Sequence, residues 1–324
     1  MKAIHINEDK TLSWQKMPEP EWGDEDVVID VKATAVNRAD IMQIAGLYPP
    51  PPGASEIPGL ECAGVIRETG SKVSQWKPGD KVCALLAGGG YAQTVVCKAN
   101  HCLPIPAGFS FSEAAALPEV FATAWLNIFR EGGASANDSV MIHAGASGVG
   151  TAAIQLCKAF EMPCFVTVGS QEKLAACHKL GANGGHIRHD GDFLEAAKTF
   201  TDGRGFKVIL DPVGGHYLES NLKCLATDGA LVIIGLMGGR KGELDIGRCL
   251  VKRLRIIGST LRSRNDKDKG DLVAEMKEKV WPLFDKEVLK PVIHKEYPIA
   301  DATEAIEEVK ENQTVGKVIL KVSD

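Results

Sequence analysis

Residues 139–160 read SVMIHAGASGVGTAAIQLCKAF. Ser139–Ala144 is a short apolar run of strand type. From Val149 to Phe160 the apolar residues fall at 149, 153, 156, 157 and 160, which is helical spacing. Between the two lies Gly145-Ala146-Ser147-Gly148-Val149-Gly150, built of small residues. A strand that turns tightly into a helix over glycines lets backbone approach a pyrophosphate closely. The helix then presents free N–H groups and a positive dipole end to it. Gly145, Gly148 and Gly150 can supply the turn, and Ser147 stands where G-x-G-x-x-G has its second glycine. Its hydroxyl can hydrogen-bond a ligand. The plain alternative is an ordinary tight strand–helix turn.

Working outward, strand and helix patterns alternate. Cys164–Val168 reads as strand and Gln171–Leu180 as helix. Phe206–Leu210, Ala230–Leu236 and Arg255–Leu261 read as further strands, with a helix at His216–Leu225. Continuous apolar strands between amphipathic helices imply a parallel sheet covered on both faces. The flanks differ. Residues 1–118 read as short strands (Asp26–Val36, Gly64–Thr69, Gly90–Cys97) broken by Gly/Pro turns, including four prolines at 49–52. After 262 comes a charged loop, RSRNDKDKGD. Then follow a helix at Asp271–Phe284 and strands at Pro291–Tyr297 and Gly316–Val322 around a helix at Asp301–Glu311. The expected fold is α/β: a Rossmann doubly wound parallel sheet over 119–262, inserted into a β-rich domain made from 1–118 and 263–324.

Cofactor choice is read at the end of the second strand. An NAD site carries Asp or Glu about 20 residues past the glycines. Here the chain reads Val168-Gly169-Ser170-Gln171-Glu172-Lys173, with no acid closing the strand. Gly169 leaves room for a 2′-phosphate, Ser170 can donate to it, and Lys173 and Arg188 can supply charge. These residues favour NADPH; both cations can equally be solvated surface. Glu172 lies just inside the helix.

Composition excludes other classes. The 324 residues carry a net charge of −5, which gives no support to nucleic-acid binding. No apolar stretch is long enough to span a membrane, and MKAIHINEDK has no signal-peptide core, so a cytoplasmic place is expected. The nine cysteines contain no Cys-x-x-Cys and the eight histidines no H-E-x-x-H, so no metal site is expected. No G-x-S-x-G elbow supports a hydrolase.

A family resemblance rests on residues spread along the chain. They include NRAD at 37–40, LYPP at 47–50, PGLE at 58–61, GGG at 88–90 and IHAGASGVGTAAIQL at 142–156. Further matches are GSQ at 169–171, LGA at 180–182, GLMGG at 235–239, LRSR at 261–264 and Gly316-Lys317. The chain resembles the medium-chain dehydrogenase/reductases of the quinone oxidoreductase branch, the zeta-crystallin-like group, and most of all the tumour-suppressor-inducible quinone oxidoreductases. The resemblance implies a GroES-like catalytic domain around the Rossmann domain, and a zinc-free homodimer. Asn37 and Leu60 stand where zinc relatives place Cys and His.

Carried over by residue, the resemblance implies that Tyr48, Ser147 and Asn37 line the nicotinamide and substrate cleft. Thr123, Leu236, Met237, Gly238, Leu261, Arg262, Ser263 and Lys317 would join Gly145, Gly148, Val149, Gly150, Gly169, Ser170, Lys173 and Arg188 at the cofactor. Arg188 replaces a tyrosine that is common in the family. Asp211, in DPVGG, is expected to cap a loop. The activity implied is NADPH-dependent reduction of a quinone. Tyr48 is the leading donor to the reduced oxygen and Asn37 the second, although Tyr48 could merely wall the pocket. The alternatives are reduction of an enone or enoyl thioester, and an NADPH-binding structural or regulatory protein of crystallin type.

Overall fold

The computed structural model describes residues 1–322. It divides into two compact units, one made of residues 1–122 with the described chain from Leu261 onward, and the other of 123–260. The expected seams at 118/119 and 262/263 differ from this by a few residues. Pro118 does not end a domain; it opens the helix Pro118–Trp125, which runs through the division. Proline is favoured at the first turn of a helix because its missing N–H would be unbonded there anyway.

The first unit is β-rich. Its strands are β1 (Lys2–Ile6), β2 (Leu12–Lys16), β3 (Asp26–Ala35), β4 (Glu61–Thr69), β5 (Lys81–Leu85), β6 (Thr94–Lys98) and β7 (Cys102–Pro104). The second unit holds β8 (Val140–His143), β9 (Cys164–Val168), β10 (Gly184–Ile187), β11 (Phe206–Asp211), β12 (Leu225–Ile233) and β13 (Arg255–Gly258). The returning chain adds β14 (Ile293–Pro298) and β15 (Lys317–Lys321) to the first unit.

One sheet of the first unit runs β14-β15-β3-β4-β5-β7, with β6 also on β3, and β1 and β2 form a separate hairpin. β15 enters beside β3 with Leu320 opposite Thr34, so residues from both chain ends share one sheet. Its core gathers Val27, Ile29, Val31, Cys62, Ile66, Val82, Tyr91, Ile306, Val318 and Leu320. The charged stretch after 262 is only partly loop. Asn265 caps a helix, Asp266–Lys279, by accepting from Asp268 N, and acids at 266 and 268 suit its N-terminus. A second short helix, Trp281–Asp285, follows.

The second unit is a six-stranded, wholly parallel sheet in the order β10-β9-β8-β11-β12-β13. Read from its first strand, this is the 3-2-1-4-5-6 order of a doubly wound fold, with the reversal between β8 and β11. Ligands in such sheets bind beyond the strand carboxyl ends at that reversal. Met141, Phe165, Phe206, Ile209, Leu222 and Leu231 form its core. β12 begins at Leu225, earlier than the apolar run suggests, and ends at Ile233, leaving Leu236 in the following loop. β13 ends at Gly258, short of the expected Leu261. A helix absent from the sequence reading, Ile246–Lys252, precedes it.

All nine cysteines are free, eight of them buried. Among the described residues, no helix is long and apolar enough to cross a membrane. Nor do three His, Cys, Asp or Glu side chains converge on a possible metal position among them.

Candidate active site

The turn from β8 into the helix Gly148–Ala159 has the geometry of a phosphate cradle. Ala144 sits at φ 53°, a left-handed conformation that is costly for a residue with a Cβ. Gly145 N donates to Thr167 O at 3.0 Å, which brings the turn against β9. A Cβ on Gly145 would lie 2.7 Å from Val166 Cβ, and one on Gly150 2.5 Å from Ala144 O. Both positions therefore need glycine. Ser147 is the N-cap of the helix, its Oγ accepting from Gly150 N at 3.0 Å. Among the described residues the Ser147 hydroxyl donates to no other group, and Gly148 and Val149 are half-buried beside it.

The end of β9 carries the two cations. Ser170 caps the next helix, Gln171–Leu180, accepting from Lys173 N at 3.3 Å. Arg188 follows the last residue of β10, and its N donates to Val168 O at 2.9 Å. Its guanidinium hangs over Gly169, where an added Cβ would meet Arg188 Cζ at 3.6 Å. His189 Nε2 accepts from Arg188 Nε at 3.2 Å. Burial and then the Arg188 charge push the Lys173 ammonium below its ordinary range. Two cations thus act on one another near the end of β9, with the Arg188 guanidinium over Gly169, and a doubly charged anion beside them would relieve the repulsion. The donor set and the glycine cradle fit a dinucleotide with a 2′-phosphate.

Under the cradle lies a buried polar chain that sequence reading missed. Asp211 caps its own loop as expected, accepting from Val213 N at 2.6 Å and Gly214 N at 3.1 Å. It also accepts from Asn221 Nδ2 at 3.0 Å. Asn221 Oδ1 therefore faces His143 Nε2 at 2.7 Å, and His143 Nδ1 meets Thr167 Oγ1 at 2.8 Å. Burial holds the imidazole below its usual range, so Nε2 carries the proton and Nδ1 accepts. The capped loop supports the next one: Met237 N donates to Pro212 O at 3.1 Å and Gly238 N to Val213 O at 2.7 Å. Leu236 and Met237 are exposed. Thr123 is buried, with its carbonyl held by Asn127 Nδ2 at 2.7 Å.

In the first unit, three expected site residues have other work. Lys317 Nζ reaches Asn37 Oδ1 at 2.6 Å, Glu61 Oε1 at 2.8 Å and Val36 O at 2.9 Å, which uses all three ammonium protons. Asn37 Nδ2 donates to Glu61 Oε1 at 2.9 Å and Ala35 O at 3.3 Å. Neither Lys317 nor Asn37 retains a hydrogen-bond donor to offer a cofactor or substrate; Lys317 neutralises Glu61 and Asn37 donates to it. Glu61 Oε2 accepts from Glu119 N at 2.9 Å. Arg262, expected at the cofactor, is buried and bonded to Gln43, Ala87 and Tyr48. Leu261 is buried and Ser263 exposed. Asp40, fully buried, accepts from Asn37 N, Gly59 N and Tyr91 Oη, and burial outweighs these donors to push it up to about 6.

Tyr48 is the first unit's available donor. It is half-buried, and its hydroxyl makes no hydrogen bond among the described residues. Burial raises its pKa, and the Arg262 charge opposes that rise.

Residues 23–107 match the family described as alcohol dehydrogenase GroES-like domain, and residues 148–278 match zinc-binding dehydrogenase. The quinone oxidoreductase of Rattus norvegicus is 31% identical over 91% of this chain and 88% of its own. A reducing polyketide synthase of Metacordyceps chlamydosporia is 35% identical over 92% of this chain, which spans only 12% of that protein. Among solved structures, Escherichia coli quinone oxidoreductase complexed with NADPH matches with a TM-score of 0.87 at 27% identity, covering 99% of this chain and 98% of that one. The JamJ enoyl reductase in its apo form matches with a TM-score of 0.88 at 25% identity, covering 99% of each.

Proposed function

The chain belongs to the medium-chain dehydrogenase/reductase family, in its quinone oxidoreductase branch, and is an oxidoreductase; from that premise we propose that it reduces quinones with NADPH and without a metal. The observation that carries the cofactor choice is the Arg188 guanidinium over Gly169, electrostatically linked to Lys173, with no carboxylate closing β9. The E. coli relative's NADPH supports the same reading. When bound, NADPH supplies a hydride from nicotinamide C4. The helix Gly148–Ala159 offers its phosphates the N–H groups of its first turn, and Ser147 its hydroxyl proton. Leu236, Met237 and Gly238 offer backbone and apolar surface to the ring, on a loop that the Asp211 cap supports.

Tyr48 donates its hydroxyl proton to the oxygen that gains charge on reduction. Asn37 is not the second donor, because both its amide hydrogens are engaged. Purified protein is expected to oxidise NADPH with ortho- and para-quinones. No turnover above background, or a clear preference for NADH, would overturn the reading. Tyr48→Phe is expected to lower kcat for quinones by about 10–100-fold, the low end for a lost proton donor because quinones accept electrons readily. The KM for NADPH should move little.

The likeness to an enoyl reductase supports a second reading, reduction of an enone or enoyl thioester. Turnover of enoyl thioesters at rates well above those of quinones would favour it.

The protein is further proposed to be a cytoplasmic homodimer. Among the described residues β13 pairs only with β12, so its other side is an open edge of the parallel sheet. Beside it the helix Ile246–Lys252 exposes Ile246, Leu250 and Val251. An open edge flanked by apolar side chains is a surface for self-pairing about a two-fold axis. Light scattering is expected to give twice the 34.7 kDa chain mass. Leu250→Glu with Val251→Glu should give the monomer, and a monomeric wild type would sink this assignment.

A further inference from the structure

Arg262 is only 4% exposed, yet among the described residues no carboxylate bonds it. Nε donates to Ala87 O at 2.8 Å, Nη2 to Gln43 Oε1 at 2.7 Å, and Nη1 reaches Tyr48 O at 3.4 Å. Every one of these acceptors is neutral. Buried charges are ordinarily paired, because an uncompensated one is costly in a medium of low dielectric. What lies under the guanidinium is the Tyr48 ring, with its centroid 5.5 Å from Arg262 Cζ. Gln43, which orients the fork, is itself fixed by donating Nε2 to Glu56 O at 2.7 Å.

The other charges bearing on the pair are Asp40, which acts on Arg262, and Glu119, which acts on Tyr48. Asp40 is turned to its own donors, Asn37 N, Gly59 N and Tyr91 Oη. It acts on Arg262 through space without touching it, and burial still outweighs that help, so the guanidinium charge is not cancelled.

We propose that Arg262 is the electrostatic partner of Tyr48: its uncompensated charge stabilises the anion left on Tyr48 Oη when the hydroxyl gives up its proton during reduction. The inference rests on the reading of Tyr48 as donor. In balance, the quinone receives a hydride from the nicotinamide and one proton from Tyr48 Oη, giving the hydroquinone. The tyrosinate then regains a proton from solvent. Arg262 touches neither reactant in this scheme; it is a positioning residue that acts through Tyr48. A guanidinium serving only as a tether between Gln43, Tyr48 and Ala87 would leave the phenol's acidity alone.

The test is the ionisation of Tyr48, read as the phenolate absorbance difference between each protein and its Tyr48→Phe counterpart after a rapid pH jump. The chain has four tyrosines, and Tyr91 is fully buried with its ionisation pushed far up, so the background is small. Arg262→Gln is expected to move the Tyr48 titration upward by on the order of one pH unit or more. The basic limb of kcat/KM should follow it. Arg262→Lys, which keeps the charge, is expected to restore most of the shift.

Gln43→Leu breaks part of the fork and leaves the charge, so Tyr48 should titrate as in the wild type. An unchanged Tyr48 titration in Arg262→Gln overturns the proposal. Should that variant not fold, an upward shift of about one unit in Arg262→Lys or Gln43→Leu overturns it, because tethering would then be the cause. If Tyr48→Phe reduces quinones at the wild-type rate, the donor reading fails whatever the titration shows. A slow Tyr48→Phe with no titration shift sinks the Arg262 proposal alone.

Discussion

Lys317→Met is expected to lower the unfolding free energy by about 3–5 kcal/mol, the cost of leaving one member of a buried ion pair without its partner. Glu61 has no solvent exposure and Lys317 almost none, so water cannot take over from either. Without the ammonium, Glu61 Oε1 keeps only Asn37 Nδ2, and Oε2 only Glu119 N. Asn37 Oδ1 and Val36 O lose their donor as well. Residues 61 and 317 lie on β4 and β15, so the pair holds the returning chain end to the sheet begun by the first. Urea unfolding of the variant against wild type gives the number. Glu61→Gln placed in the Lys317→Met background should recover a large part of the loss, since an amide is far cheaper to bury than a lone carboxylate. A loss below about 1 kcal/mol in Lys317→Met would mean that the pair is not carrying a buried charge. The same experiment separates the two assignments of Lys317: a cofactor ligand would alter the KM for NADPH and leave the apoprotein's stability near wild type.

That contrast shows where sequence is readable and where it is not. The β8 turn was legible because everything it needs is local: an apolar strand, glycines where Cβ atoms would clash with Val166 and Ala144, and a Ser147 cap three residues from its donor. The cation pair was legible for the same reason, as β9 and β10 are neighbours. Lys317 and Arg262 were not. Their acceptors, Glu61 and Gln43, lie more than two hundred residues away in the chain, and a lone Lys or Arg gives no sign of being buried. The helix Ile246–Lys252 escaped because its apolar residues face outward, which leaves no inward stripe to read. The first turn of the helix Asp266–Lys279, expected only from Asp271, escaped because its charges resembled a loop, whereas two of them sit at the N-terminus where the helix dipole favours acid. Nothing local marks His143 as buried; its partners Asn221 and, behind it, Asp211 reach it only through the fold.

The double variant Lys173→Ala with Arg188→Ala is expected to raise the KM for NADPH by about 100–1,000-fold. Each cation–phosphate contact contributes roughly a tenfold effect or more, and tenfold corresponds to about 1.4 kcal/mol. The two side chains share one electrostatic neighbourhood, since Arg188 acts on the Lys173 ammonium. Their losses should therefore not simply add. Removing one cation relieves the repulsion felt by the other, so each single variant should lose less than half of the double variant's effect. The KM for NADH should stay within about threefold of wild type, because NADH presents a ribose hydroxyl in place of the 2′-phosphate and Ser170 and the glycine cradle are untouched. The kcat with saturating NADPH should also hold, as neither cation meets the reacting atoms in this reading. Equal losses for both cofactors would show that the cations support the helix Gln171–Leu180 and not a phosphate. An unchanged NADPH preference would move 2′-phosphate recognition away from the end of β9 altogether. Raising the ionic strength gives an independent check: Arg188 is exposed, so the NADPH preference of the wild type should fall as salt screens it, and that dependence should vanish in the double variant.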